Sequence, residues 1–150
     1  MINKFADFVS LLNTVYKDVQ KIKSYEVKEL GLKSCHVMSM FYLGQSENGL
    51  TSNELCDKCR EDKAAISRNL KYLYDKGYVK SSGDENQKYK LKNVLTDEGR
   101  IVYERLEVII SSAVERFSKG LSSKDNDAFF RCLEKIIENF DEFFAEIEGK

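Results

Sequence analysis

The sequence predicts a mainly α-helical chain with one small β-hairpin, in the order α-α-α-α-β-β-α-α. Three observations carry this. Apolar residues recur at steps of three and four over most of the 150 residues, the spacing of a single helix face. The chain has no proline and only eight glycines, so little interrupts long helices. One stretch departs from that rhythm: two short alternating runs flank the polar turn Gly83-Asp84-Glu85-Asn86-Gln87.

The elements follow in order. Residues 3–23 carry Phe5, Phe8, Val9, Leu12, Val15, Tyr16, Val19 and Ile22 on one stripe. Chain termini fray unless docked, so a stripe this aromatic is expected to pack on something. Gly31 marks a break. Ser34 to Gly44 forms a second helix with Val37, Met40, Phe41 and Gly44 inward. The turn cluster 45–49 follows, and Leu50-Thr51 can add a short β-bridge. Thr51 with Glu54 three residues on is a capping box, starting a two-turn helix with Leu55, Cys56 and Cys59 inward. Asp62 caps a fourth helix, Lys63 to Lys76, whose buried stripe is Ile66, Leu70 and Leu73, and Gly77 closes it.

Tyr78 to Ser81 reads as a strand and Lys88 to Leu95 as its return, with Lys88, Lys90 and Lys92 on one face. Thr96 caps a helix running to about Lys119, with Asp97 and Glu98 in the first turn, where the helix dipole favours acids. After Gly120, Ser122 or Ser123 starts a last helix striped by Phe129, Phe130, Leu133, Ile136, Ile137, Phe140, Phe143, Phe144 and Ile147. The terminal helices carry more apolar surface than the central residues could cover, which points to a symmetric dimer. Two short helices, a short turn and a hairpin together describe a winged helix-turn-helix over residues 34–100, flanked by dimerisation helices at 1–33 and 101–150, all within one domain.

Composition sets the outer limits. Hydrophobic residues make up 42% and charged ones 33%, as in a folded soluble domain rather than a disordered chain. No apolar run reaches the length of a membrane span, and MINKFADFVS lacks a signal-peptide pattern, so the cytoplasm is the expected location. The net charge of −1 is unevenly spread: +1 over residues 1–50, +3 over 51–92 and −5 over 93–150. A basic centre fits an anionic partner, because the local field at a docking face matters more than the total.

The runs Leu50-Thr51-Ser52-Asn53-Glu54-Leu55, Asp62-Lys63-Ala64-Ala65-Ile66-Ser67-Arg68, Asp75-Lys76-Gly77-Tyr78-Val79 and Leu95-Thr96-Asp97-Glu98-Gly99-Arg100 resemble the MarR family of bacterial transcriptional regulators. The resemblance covers the chain in helix order and is specific from Leu50 to Arg100. It implies a homodimer with interleaved terminal helices and a winged helix-turn-helix in each subunit. It further implies a repressor that leaves DNA when a small, often phenolic molecule binds or a cysteine is oxidised. Two departures stand out. Arg60 and Glu61 occupy a turn where the family usually has a glycine and an apolar residue, and Lys88 stands near a wing tip that usually carries arginines.

On this reading the partner is double-stranded DNA with a pseudo-palindromic operator. Arg68 can bridge guanine O6 and N7, and Ala64 or Ala65 can meet a thymine methyl, with Ser67 beside them. Lys63, Lys71, Thr51 and Ser52 suit phosphates, as do Lys88 and Lys90 of the hairpin. Lysines on an edge strand also serve against aggregation. The alternative is a winged-helix protein-interaction module without specific DNA binding.

Cys56 and Cys59 have CxxC spacing, but without a second pair they read as core filler. Cys35, at a helix start, is the redox candidate. His36, the sole histidine, is expected with Tyr25 and Met40 to border a pocket for a small aromatic effector, a placement that rests on the resemblance. No metal site or cofactor is expected, and no catalytic set is present: one histidine leaves few candidate bases.

Overall fold

The computed structural model describes residues 2–83 and 91–149. Its elements are α1 (Ile2–Glu26), a 3₁₀ turn (Lys28–Leu30), α2 (Ser34–Gln45), α3 (Ser52–Cys59), α4 (Lys63–Asp75), β1 (Val79–Ser82), β2 (Lys92–Leu95), α5 (Asp97–Phe117) and α6 (Ser123–Glu148). The expected order is therefore present, with ends displaced by a few residues. Two compact units result, residues 1–111 and residues 112–150.

The first unit holds the core. Val27, Leu30 and Leu32 meet Val37, Met40 and Leu43 of α2, Leu55 of α3, and Ile66, Leu70 and Leu73 of α4. Val79 of β1 and Val102 and Leu106 of α5 complete it. Each fully buried aliphatic contributes about 1.5–3 kcal/mol over an exposed one, which is how a chain this short pins down four helices. Cys56 and Cys59 are half-buried against this core, so they sit at its edge and not inside it.

Caps set the helix starts. At α3, the Thr51 Oγ1 accepts the Glu54 amide at 3.2 Å, while the Thr51 amide donates to Glu54 Oε2 at 2.7 Å. At α4, Asp62 Oδ1 accepts the Ala65 amide at 2.8 Å. Between them lies a tight turn in which Arg60 adopts the left-handed conformation, φ 53° and ψ 44°. That is the position where the resemblance led us to expect glycine, and the backbone makes the glycine turn with an arginine in place.

β1 pairs antiparallel with β2, with Val79 opposite Leu95 and Ser82 opposite Lys92. The first strand starts at Val79 because Tyr78 is committed elsewhere. Its amide donates to the Leu73 carbonyl at 3.0 Å, at the end of α4, and its phenol donates to the Leu30 carbonyl at 3.1 Å. The bridge expected at Leu50 forms, to Asn93. The expected return strand began at Lys88; Lys88 and Lys90 lie outside the described residues.

In the second unit, Ser122 caps α6 in a capping box with Asp125. Its apolar stripe forms as expected but is uncovered in the single chain: Phe129, Phe130, Phe140, Phe143, Phe144 and Ile147 are all about half exposed. The stripe of α1 is likewise open, with Phe5 at 66% exposure and Leu12, Val15 and Tyr16 also exposed. No helix among the described residues is long and apolar enough to cross a membrane.

Candidate nucleic-acid interface

The α4 helix is two-faced by sequence. Ile66, Asn69, Leu70 and Leu73 point into the core, while Lys63, Ala64, Ser67, Arg68 and Lys71 are exposed. Ala65, expected on the outer face, is half-buried, because it sits at the shoulder beside Ile66. Among the described residues the ion pairs are Lys21–Asp18 and Lys135–Glu138, so Lys63, Arg68 and Lys71 are held by no carboxylate there. The outer face is thus basic, and its alanine and serine leave room for close approach.

An open groove of about 640 Å³ runs along this face. Lys63, Ser67 and Lys71 of α4 line one side, Ser52 and Asn53 of α3 another, and Ser81, Leu91 and Asn93 of the hairpin close it. Ser52 is exposed at the start of α3. Thr51 is not equivalent to it. Its hydroxyl and amide are both engaged by Glu54, so the expected phosphate donor is already used by the cap. The amide and hydroxyl of Thr51 bonding that carboxylate also hold Glu54 below its ordinary range, which keeps it ionised.

Sequence reasoning missed Asn53, Tyr74 and Asn93. Asn53 had a readable signal, an exposed polar side chain beside Ser52 in the first turn. Asn93 had none, because one polar residue in a short strand looks like a solvent position. It is in fact 5% exposed and fully bonded. Its side-chain amide donates to the Leu50 carbonyl at 2.8 Å, and its Oδ1 accepts the Tyr74 phenol at 2.7 Å. Burial pushes that phenol above its ordinary range, so Tyr74 remains a donor at neutral pH.

The expected effector residues do not gather around a cavity. Met40 is sealed in the core at 0% exposure and touches no solvent. Tyr25, at 88% exposure, stands at the open end of α1. His36 is buried, its ring stacked on Tyr72 at 4.1 Å between centroids. Its Nδ1 accepts the Lys33 amide at 3.1 Å, a bond that requires the unprotonated nitrogen. Burial, followed by the charge of Lys33, lowers the His36 pKa.

The cavity that does open beside α2 holds about 250 Å³ and is lined by Tyr16, Gln20, Lys23, Cys35, Met38, Ser39, Cys59, Glu61 and Asn69, among others. Cys35 is exposed at its edge, and its carbonyl accepts the Asn69 side-chain amide at 2.9 Å. Cys59 faces Ser39 at 3.9 Å, and burial pushes its thiol up. Among the described residues no three His, Cys, Asp or Glu side chains are placed to hold a metal ion.

Comparison with known proteins agrees with this geometry. Residues 32–99 match a family model described as a winged helix DNA-binding domain. The chain is 26% identical over 144 residues to the HTH-type transcriptional regulator TcaR of Staphylococcus aureus, covering 91% of this chain and 93% of that one. A MarR family transcriptional regulator of Silicibacter pomeroyi is 25% identical, with a TM-score of 0.70 over 86% of each chain. The fold is also shared with a Listeria monocytogenes regulator of the same family, solved with a 26-mer DNA: TM-score 0.82, 20% identity and 95% of each chain covered.

Proposed function

We propose that the chain is a member of the MarR family of winged helix-turn-helix transcriptional regulators, a DNA-binding and not an enzymatic family, and that it acts as a homodimeric, sequence-specific repressor. The observation that carries the proposal is the outer face of α4, basic and finely stepped, set in a groove whose far wall is the hairpin. Arg68 reads a base edge, Ala64 approaches a thymine methyl, and Lys63, Lys71 and Ser52 meet phosphates. Lys88 and Lys90 join them on their sequence position.

The uncovered stripes of α1 and α6 are covered by a second copy. A two-fold dimer would then bring two α4 helices to successive major grooves, about 34 Å apart, over a pseudo-palindromic site. We place the protein in the cytoplasm, where that DNA is.

Release from DNA acts through the cavity beside Cys35. A small ligand there, or oxidation of Cys35, would reach α4 through the Asn69 side chain bound to the Cys35 carbonyl. Peroxide should lower DNA affinity, and Cys35→Ser should abolish that response.

The test is duplex binding across a salt series, because phosphate contact releases counterions and steepens the salt dependence. Arg68→Ala should weaken operator binding by about 1–3 kcal/mol and blur sequence preference, while Lys71→Ala should weaken all sequences alike. A parent chain that ignores duplex DNA at low salt would favour the other use of this fold, a protein-interaction module.

A further inference from the structure

We propose that Tyr74 and Asn93 form a positioning clamp that fixes the hairpin against α4, so that helix and hairpin grip one duplex together. The inference rests on the docking reading above and adds to it the residues that set the span between the two reading elements.

The geometry is specific. Asn93 occupies the one buried position of β2 and is bonded on all sides. Its backbone amide donates to the Leu50 carbonyl at 2.7 Å and its carbonyl accepts the Leu50 amide at 3.0 Å. Its side-chain amide reaches the same Leu50 carbonyl, which fixes the amide orientation: the nitrogen faces Leu50 and the oxygen faces Tyr74. The Tyr74 phenol lies near the end of α4, and Ser81 of β1 lines the same groove. β2 is therefore tied directly to one hydroxyl on the recognition helix, and β1 follows through its pairing with β2.

The packing leaves no slack. A Cβ on Gly49 would lie 2.4 Å from Val94 Cγ1 and 2.6 Å from the Asn93 carbonyl oxygen, so the loop before α3 is pressed against β2. An apolar residue at position 93 would fill the same space. An amide adds direction, which is what a buried polar group supplies when all its bonds are made. Both clamp residues line the groove, yet Tyr74 is 38% exposed, so its hydroxyl can be removed without opening the core.

Tyr74→Phe deletes the hydroxyl and keeps the ring. Expected are a melting temperature within a few degrees of the parent and a duplex Kd raised about five- to tenfold, the weight of roughly one ordinary hydrogen bond. The slope of log Kd against log salt should fall in magnitude by about 1 for each phosphate that the hairpin no longer reaches. Asn93→Ala should act in the same direction, and adding Tyr74→Phe to it should change little further. In a hairpin stripped of charge (Lys80→Ala, Lys88→Ala, Lys90→Ala, Lys92→Ala), Tyr74→Phe should have no effect.

Three results would overturn the clamp. One is Tyr74→Phe binding with parental Kd and slope. Another is a stripped hairpin that binds like the parent. The third is Tyr74→Phe weakening binding equally in the stripped background, which would make the phenol a direct DNA contact. In each of these the parent still binds duplex DNA with salt dependence; if it does not, the docking reading fails and takes the clamp with it.

Discussion

Replacing Gly99 by alanine tests how the first turn of α5 is seated on the hairpin base. A Cβ at Gly99 would lie 1.9 Å from the Tyr78 carbonyl oxygen and 2.8 Å from its carbon. A relaxed carbon–oxygen contact needs about 3.3 Å, so the two backbones must part by more than about 1 Å. That same oxygen accepts the Thr96 amide at 3.0 Å, and the displacement would break the bond. The broken bond is worth about 1 kcal/mol and the overpacking about 1–3 kcal/mol. The sum, about 2–4 kcal/mol, is a large share of a typical total of about 5–15 kcal/mol. Urea unfolding followed by circular dichroism should show a lower midpoint at unchanged slope. Gly120→Ala is the comparison: nothing lies within 4 Å of its Cβ, so only the strain of its φ of +87° applies, about 1–2 kcal/mol. A Gly99→Ala loss below about 0.5 kcal/mol would refute the steric argument.

Three further outcomes are expected. Arg60→Gly should stabilise the chain by up to about 1 kcal/mol, because relief of the left-handed strain exceeds the added entropy of glycine; a lower urea midpoint would contradict this. Asp62→Ala should cost about 1 kcal/mol through loss of the α4 cap, read in the same assay, and an unchanged midpoint would count against the cap. Stability should fall on acidification below the ordinary His36 value of 6.5. His36 is held neutral in the folded chain, with its pKa lowered, so between 6.5 and the folded value the unfolded chain binds the extra proton. The contribution is complete above 6.5 and is lost as pH falls through that window. His36→Gln should flatten the melting temperature between about pH 7.5 and 5.5, and a parent already flat there would exclude the effect.

The helices were legible because their signals are local. The Thr51–Glu54 box, the Asp62 cap and the i, i+4, i+7 stripe of α4 each lie within a few residues and need no knowledge of the rest. The outer face of α4 followed from the inner one by subtraction. What could not be read were the pairings between distant segments. Asn93 gains its meaning from Leu50 and Tyr74, 43 and 19 residues away. Thr51 is a different case: the sequence offers it both as a cap and as a phosphate donor, and its bonds to Glu54 leave it the first role. The grouping of Tyr25, His36 and Met40 failed for a related reason: helical spacing says which residues share a face, not whether that face meets a void. Met40 shares the inward face of α2, and that face is packed solid.

The bridge between Leu50 and Asn93 also bears on how the chain opens and closes. It joins segments far apart in sequence, so it forms only after α3 and α4 have folded between them, and the hairpin base is expected to be a late element of folding. In the native state the reverse holds. Few buried apolar side chains hold β2, and its one buried residue is the one that carries the bridge. Breaking that bridge frees the backbone amides of Leu50 and Asn93 in the same event. The two amides should therefore exchange hydrogen at a common rate, faster than the Ile66 and Leu70 amides of α4, making the hairpin base a cooperative unit of low local stability.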